Sequence, residues 1–450
     1  MSGLAACKNF WSFLLLSLYL RMISRIQATH FLFFLAVSFC SCSKVQVSPQ
    51  NNTSTSAIKL YGYQYGNFLS SFQATPDGGY VFGGYTINSD SDGQQGFIQK
   101  CDHNGIVKWY KLFGGPKQDL FWMVRPTSDG GYIAAGATTS FGFGAELNNN
   151  LQDAYLVRTD GNGNLLWQKT YGSKSTDIFY DVAEAPDHGF VAVGSEGGQF
   201  FMVKTDQNGD SLWTRTLFKG YIRSFGASIA FGPNGEIAVA SYEQNKDTAL
   251  LAFCAFSYLT PDGTFLLHHV QYNNLQYNAN VETYLYNSST LNNSSTIQAT
   301  INLSNTLCCE KIISRPNGFI IVENSNGFKA VDISKIDFQG NIIWANLYSG
   351  IGGAVYFNDA TNGPNGGLLI SGGTFQLNSS NSSYYNWLLS IDANGNKLME
   401  SFLPIPENAW AAGAVFSGTD IAEGINLTTP LNTHANYFGF LLTDKNGNPK

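Results

Sequence analysis

From residue 68 onward the chain is written in short runs of apolar or alternating residues, each closed by Gly, Asn or Asp. In the first such stretch the runs are 68–74, 80–85, 97–101 and 106–113. Alternation with period two reads as a half-buried strand, and runs this short argue against helices. Asp-Gly and Asn-Gly pairs separate the first run from the second and the third from the fourth, where they supply the positive φ of a tight hairpin. Four such runs, lettered A to D, predict a four-stranded antiparallel meander.

The pattern repeats. The hairpin between C and D recurs with its turn glycine at Gly105, Gly163, Gly209, Gly263, Gly340, Gly395 and Gly447. The A–B hairpin recurs at Asp77-Gly78-Gly79, Asp129-Gly130-Gly131, Asp187-His188-Gly189, Asn234-Gly235, Asn317-Gly318 and Asn365-Gly366-Gly367, with a degenerate copy near Gly418. One sheet of this size buries too little alone, so seven copies must pack face to face. After Gly447 only three residues remain, and the last unit lacks its strand D. Residues 57–62 (AIKLYG) match residues 109–114 (WYKLFG) in register and belong to no other unit. An N-terminal strand that completes the last unit closes a ring. The predicted fold is therefore all-β, a seven-bladed β-propeller of four-stranded antiparallel blades over 57–450, with an insertion at 271–306.

The motifs DGGYxxxG and DxxGNxxWxKxYG, seen most fully at 129–136 and 160–172, resemble the β-propeller repeat of secreted and lipid-anchored bacterial proteins. The resemblance covers nearly all of 57–448. It implies the fold and an extracytoplasmic setting and is silent on chemistry, because propellers carry binders, scaffolds and enzymes alike.

Composition narrows the partners. Hydrophobic residues make up 44% and charged ones 13%, and 25 Lys and Arg against 32 Asp and Glu leave a net charge of −7. No basic field is present to attract a phosphate backbone, so nucleic acid is not an expected partner. Residues 1–41 contain no acid and carry two apolar runs, each too short to span a membrane. They read as a signal peptide, with Met22 as an alternative start. Ser41-Cys42, followed by a polar stretch to residue 56, resembles a bacterial lipoprotein signal. Acylation of Cys42 and a tether over 42–56 are expected, which places the protein in the cell envelope, with plain secretion as the alternative.

Residues that recur at one position in several blades serve the fold, whereas a single site needs residues that break the pattern. By that criterion the Asp160–Asn164 string and its relatives are hairpin turns rather than metal ligands. Asn67, Asp119 and Asp177, each ten residues before the A–B turn Asp, read as hydrogen bonders at the start of strand A. Trp109, Trp167, Trp213 and Trp344, four residues after the turn glycine, read as core between blades. The pattern breakers are Trp122 and Trp410, early in inner strands near the mouth that bears the long B–C and D–A loops, and Tyr221 and Arg223 in a D–A connection. Aromatic groups there suit stacking on sugar or gripping a peptide, with Arg223 as a charged donor. The alternative is that they plug the channel. Cys308-Cys309 would form a strained vicinal ring if oxidised. Such a ring resembles that of some quinone-cofactor dehydrogenases, but two reduced thiols on a strand are the simpler reading. No cofactor or metal is implied, and GxSxG, HExxH and P-loop strings are absent. The expectation is a binding module for a glycan, peptide or protein partner at the loop-bearing face, without catalysis. A propeller glycosidase with carboxylates from different blades is the enzymatic alternative.

Overall fold

The computed structural model describes residues 50–52, 58–62, 66–87, 93–143, 151–216, 221–245, 252–272, 280–285, 294–297, 306–325, 330–350, 355–377, 382–404, 409–428 and 436–450, some strand ends by backbone alone. The signal peptide expected over residues 1–41, Met22 and Cys42 lie outside the described residues.

Seven antiparallel sheets carry the chain. In the first blade, A is Gly66–Ala74, B is Tyr80–Ile87, C is Gly96–Cys101 and D is Val107–Phe113, adjacent in that order. The inner strands A of the next six blades are Asp119–Pro126, Asp177–Glu184, Tyr221–Phe231, Thr306–Arg315, Val355–Asn362 and Ala409–Ser417. Each touches the inner strand of the next blade, and the seventh touches the first. The last blade takes its fourth strand from Ile58–Gly62, which pairs Ile58 with Leu441 and Tyr61 with Phe438. The ring is thus closed as the sequence predicts.

Two additions differ from the expectation. Gln50–Asn52, inside the predicted tether, pairs with Ile58–Gly62 as a fifth strand. The insertion is not wholly a loop, because Asn280–Leu285 and Ser294–Ile297 extend the fourth blade to six strands. An outer strand offers a row of unpaired backbone groups, and a neighbouring extended segment satisfies them by pairing there.

Both faces of the middle strands are buried, which accounts for their nearly continuous apolar runs: every residue of Tyr132–Thr138 is inaccessible. The core is correspondingly divided into layers between blades. Phe72, Phe82 and Phe97 of the first blade pack with Phe438 and Phe440 of the last, and six comparable clusters fill the other interfaces.

The turns join this packing. In the first three blades the A–B turn Asp binds a strand C cation: Lys100–Asp77 at 2.9 Å, Arg158–Asp129 at 2.5 Å and Lys204–Asp187 at 2.6 Å. Burial raises the Asp77 carboxyl, but hydrogen bonds from Thr75, Lys100 and Gly79 and the Lys100 charge outweigh it and hold it at about 2. The repeat tryptophans are half-buried and pack against the core layers between blades, as expected. Each lies over the C–D turn of the following blade, where Trp109 Nε1 donates to Gly161 O at 3.2 Å and Trp167 Nε1 to Gln207 O at 3.0 Å. A Cβ on Gly163 or Gly209 would meet that indole at 2.8 to 2.9 Å, so the turn glycine serves both the positive φ and the docking.

Each inner strand also carries a β-bulge at the same place, with Ser70, Trp122, Tyr180, Ala227, Glu310, Asn358 and Ala412 as the extra residue. The bulge pushes a strand A carbonyl towards strand B. At Gly84, Gly136, Gly194 and Gly372 an added Cβ would collide with the carbonyl oxygens of Phe68, Leu120, Ile178 and Tyr356. The closing glycine of DGGYxxxG is therefore the partner of the bulge.

Candidate functional site

Inner strands start at the loop-bearing face and end in the A–B turns, so their side chains line the central channel in tiers. The bulge tier lies towards the loops. There Phe68, Tyr85, Trp122, Tyr180, Phe225 and Tyr242 form an arc over four blades, with successive ring centroids at 5.0, 6.0, 6.3, 5.1 and 5.0 Å. All six are half-buried. Trp122 Nε1 is buried without a hydrogen-bond partner, an unusual state for an indole N–H, which normally finds an acceptor when buried.

The tier after the bulge is polar. Arg125 Nε and Nη2 bind Asp181 at 2.7 to 3.0 Å. Asp181 also accepts from Ser228 Oγ at 3.1 Å and from the N–H groups of Ile229 and Val182 at 3.0 and 2.8 Å. Across the ring Lys311 Nζ meets Asp359 at 2.7 Å, and Asp359 accepts from Gln73 Nε2 at 3.3 Å and the Ala360 N–H at 2.9 Å. Buried ion pairs survive only when desolvation is offset by additional hydrogen bonds, and both aspartates have them. Beyond this tier, towards the turns, lies a cavity of about 290 Å³ lined by Gln73, Arg125, Ala183, Ala230, Lys311 and Thr361 among others.

Of the sequence candidates, Trp122 sits in the arc as the bulge residue itself. The fourth inner strand begins at Tyr221, so Tyr221 and Arg223 belong to that strand and not to a connection. They pair by backbone with Asn245 and Gln244. Trp410 is the second residue of the last inner strand and pairs with Asn426. The side chains of Trp410, Tyr221, Arg223, Cys308 and Cys309 lie outside the described residues. Asp119 and Asp177 are hydrogen bonders as expected. Asp119 accepts from the Gly115 N–H at 2.8 Å and Ser140 Oγ at 2.9 Å, and Asp177 from the Ser173 and Gly197 N–H groups at 2.6 and 3.0 Å. The Asp160 carboxylate is taken up by Asn162 and Asn164 of its own turn. Sequence reasoning missed Arg125, Asp181, Lys311 and Asp359; Asp181, Lys311 and Asp359 each directly follow the bulge residue, and Arg125 stands two positions further along its strand.

No protein-family model matches the chain, and no curated protein does. Among solved structures, the chain is similar to a putative 6-phosphogluconolactonase from Bacteroides uniformis, at 14% identity over 82% of this chain and 96% of that one, with a TM-score of 0.42. It is also similar to YCF48 bound to D1 peptide, at 10% identity over 86% and 96% of the two chains and a TM-score of 0.44. A protein of unknown function from Dyadobacter fermentans matches at 10% identity over 89% and 99%, with a TM-score of 0.40.

Proposed function

We propose that this propeller is an exported, lipid-anchored binding module of the cell envelope that engages a glycan, peptide or protein segment at the loop-bearing mouth of its channel. The observation that carries the reading is the arc around Trp122: a run of half-buried aromatic rings over four blades, with a buried N–H that lacks an acceptor. A sugar hydroxyl or peptide carbonyl supplies that acceptor, and ring faces bury ligand area at low entropic cost. The enzymatic alternative is less well supported. Asp181 and Asp359 each sit against a cation and a backbone donor, which take up the oxygens that a general acid or base would have to present to a substrate.

Binding of the purified chain to glycan and peptide arrays tests this, beside Trp122→Ala and Tyr180→Ala variants of unchanged unfolding temperature. Selective binding that weakens at least ~10-fold in Trp122→Ala is expected of a central anchor. Binding unaffected by both variants would overturn the site, and silence on both arrays would leave only the protein partner.

A further inference from the structure

We propose that the turn-side end of the channel is a second binding site, distinct from the aromatic arc, and that it takes a small molecule bearing one carboxylate. The cavity there holds about 290 Å³. That is at the small end of the ligand-pocket range and matches a monosaccharide or an acylated amino acid rather than a chain.

The polarity of the wall is set by which partner of each ion pair faces the space. Asp181 is 1% exposed and its oxygens are taken by Arg125, Ser228 and two backbone N–H groups, whereas the Arg125 side chain is 25% exposed. Arg125 holds Asp181 through Nε and Nη2 alone, so Nη1 takes no part in that pair. Lys311 is a cavity-lining residue, while Asp359 is not, and one bond to Asp359 leaves two of the three ammonium donors of Lys311 outside the pair. Gln73, the third polar group of this wall, presents its amide from the first blade. The charged groups of the wall are thus the two cations, with their carboxylates behind them, beside the neutral polar side chains of Gln73, Ser314, Thr361 and Asn362.

A ligand must therefore bring oxygen acceptors. Two cations set against two aspartates give a neutral wall, which tolerates one added negative charge shared between Arg125 and Lys311. A dianion would be repelled by Asp181 and Asp359 immediately behind them. Ala183, Ala230 and Ile313 complete the wall with apolar surface for a carbon skeleton. An acidic sugar and an acylated amino acid share this chemistry.

Calorimetric titration of the full chain with glucuronate and with N-acetylalanine, against glucose and N-acetylalaninamide, tests the site and separates the two sources. At least one carboxylate is expected to bind, with its neutral counterpart ~10-fold weaker or more. Ala183→Leu fills the cavity while leaving both ion pairs in place and should abolish binding. Arg125→Gln should weaken it by a similar factor, and Trp122→Ala should leave it unchanged. No carboxylate binding at about 10 mM, equal binding of the neutral counterparts, or wild-type binding by Ala183→Leu would each overturn the proposal. If Arg125→Gln fails to fold, Ala183→Leu still decides. A loss in Trp122→Ala without a loss of folding would show one continuous site instead of two.

Discussion

Glu423 lies at the interface of the sixth and seventh blades, on strand B of the closing blade, and is fully inaccessible. The side-chain amide of Asn386 donates to its Oε2, while Glu423 Oε1 and Asn386 Oδ1 are both buried acceptors without a donor. Burial raises the carboxyl from its ordinary 4.5 to about 8, with the Asn386 bond opposing. The neutral acid is also the form that relieves this arrangement, because protonation turns one of two orphaned acceptors into a donor. Below pH 4.5 both folded and unfolded chains hold the proton. Between about 4.5 and 8 only the folded chain does, so stability falls as the pH rises, and above 8 the fold carries the full cost of a buried charge. At about 1.36 kcal/mol per pH unit that cost is on the order of 5 kcal/mol, an upper value for a site that relaxes or admits water. Glu423→Gln keeps the shape, supplies an N–H₂ donor and removes the ionisation. Urea unfolding of both proteins from pH 5 to pH 9 should show the variant gaining on the wild type through the window, by several kcal/mol at the alkaline end. A difference constant with pH, or a variant that is the less stable at pH 9, would refute the assignment of a neutral carboxyl.

Three further outcomes follow from the geometry. Gly136→Ala places a methyl against the Leu120 carbonyl oxygen and should cost about 3 kcal/mol or more, whereas Gly130→Ala, at φ +84° in open space, should cost only about 1–2 kcal/mol of backbone strain; equal costs in denaturant titration would remove the bulge explanation. Asn426 Oδ1 accepts from the Leu69 N–H at 2.8 Å and its Nδ2 donates to Leu69 O at 2.7 Å, so Asn426→Ala leaves two buried backbone groups of the first blade unpaired. It should cost on the order of 2–4 kcal/mol and speed amide exchange at Leu69; an effect within experimental error would show that the ring is not held there. Trp109→Leu should cost under about 1.5 kcal/mol, since the fourth blade uses Leu267 against Gly340 in the same way, while Trp109→Ala should cost clearly more by the same measurement.

The blade count and the closure were legible because they rest on repetition and on one absence. Seven C–D glycines fix seven units, and the missing strand after Gly447 finds its match at 57–62. The bulge was not legible as such, because register is a property of pairing between two strands and strand A alone shows only alternation. Its trace was nevertheless in the repeat. The closing glycine of DGGYxxxG has no turn to make at Gly136, and an unexplained glycine inside an apolar strand marks a place where another backbone comes close. The added strands Gln50–Asn52 and Asn280–Leu285 escaped for a different reason: polar composition reads as a tether or loop, and only an available sheet edge recruits it.

The criterion that a site must break the repeat points to different residues once whole tiers are compared instead of single aromatic side chains. Either landmark gives the same register, because the bulge lies seven residues before the A–B turn residue, Asp77, Asp129, Asp187, Asn234, Asn317 or Asn365, in the first six blades. Counted from the bulge, the next residue in blades one to seven is Ser71, Met123, Asp181, Ser228, Lys311, Asp359 and Gly413, and two positions further stand Gln73, Arg125, Ala183, Ala230, Ile313, Thr361 and Val415. The flanking positions before the bulge stay mostly apolar, because they fill the layers between blades: Leu69, Phe121, Phe179, Phe357 and Ala411 are all buried there. Residue type varies most in these two tiers, although Ala183, Ala230, Ile313 and Val415 also belong to the apolar layers between blades. The charges among them are set as complementary pairs between consecutive blades, Arg125 with Asp181 and Lys311 with Asp359. The aromatic candidates drew attention by size, but the charged positions are the ones whose placement the frame does not explain.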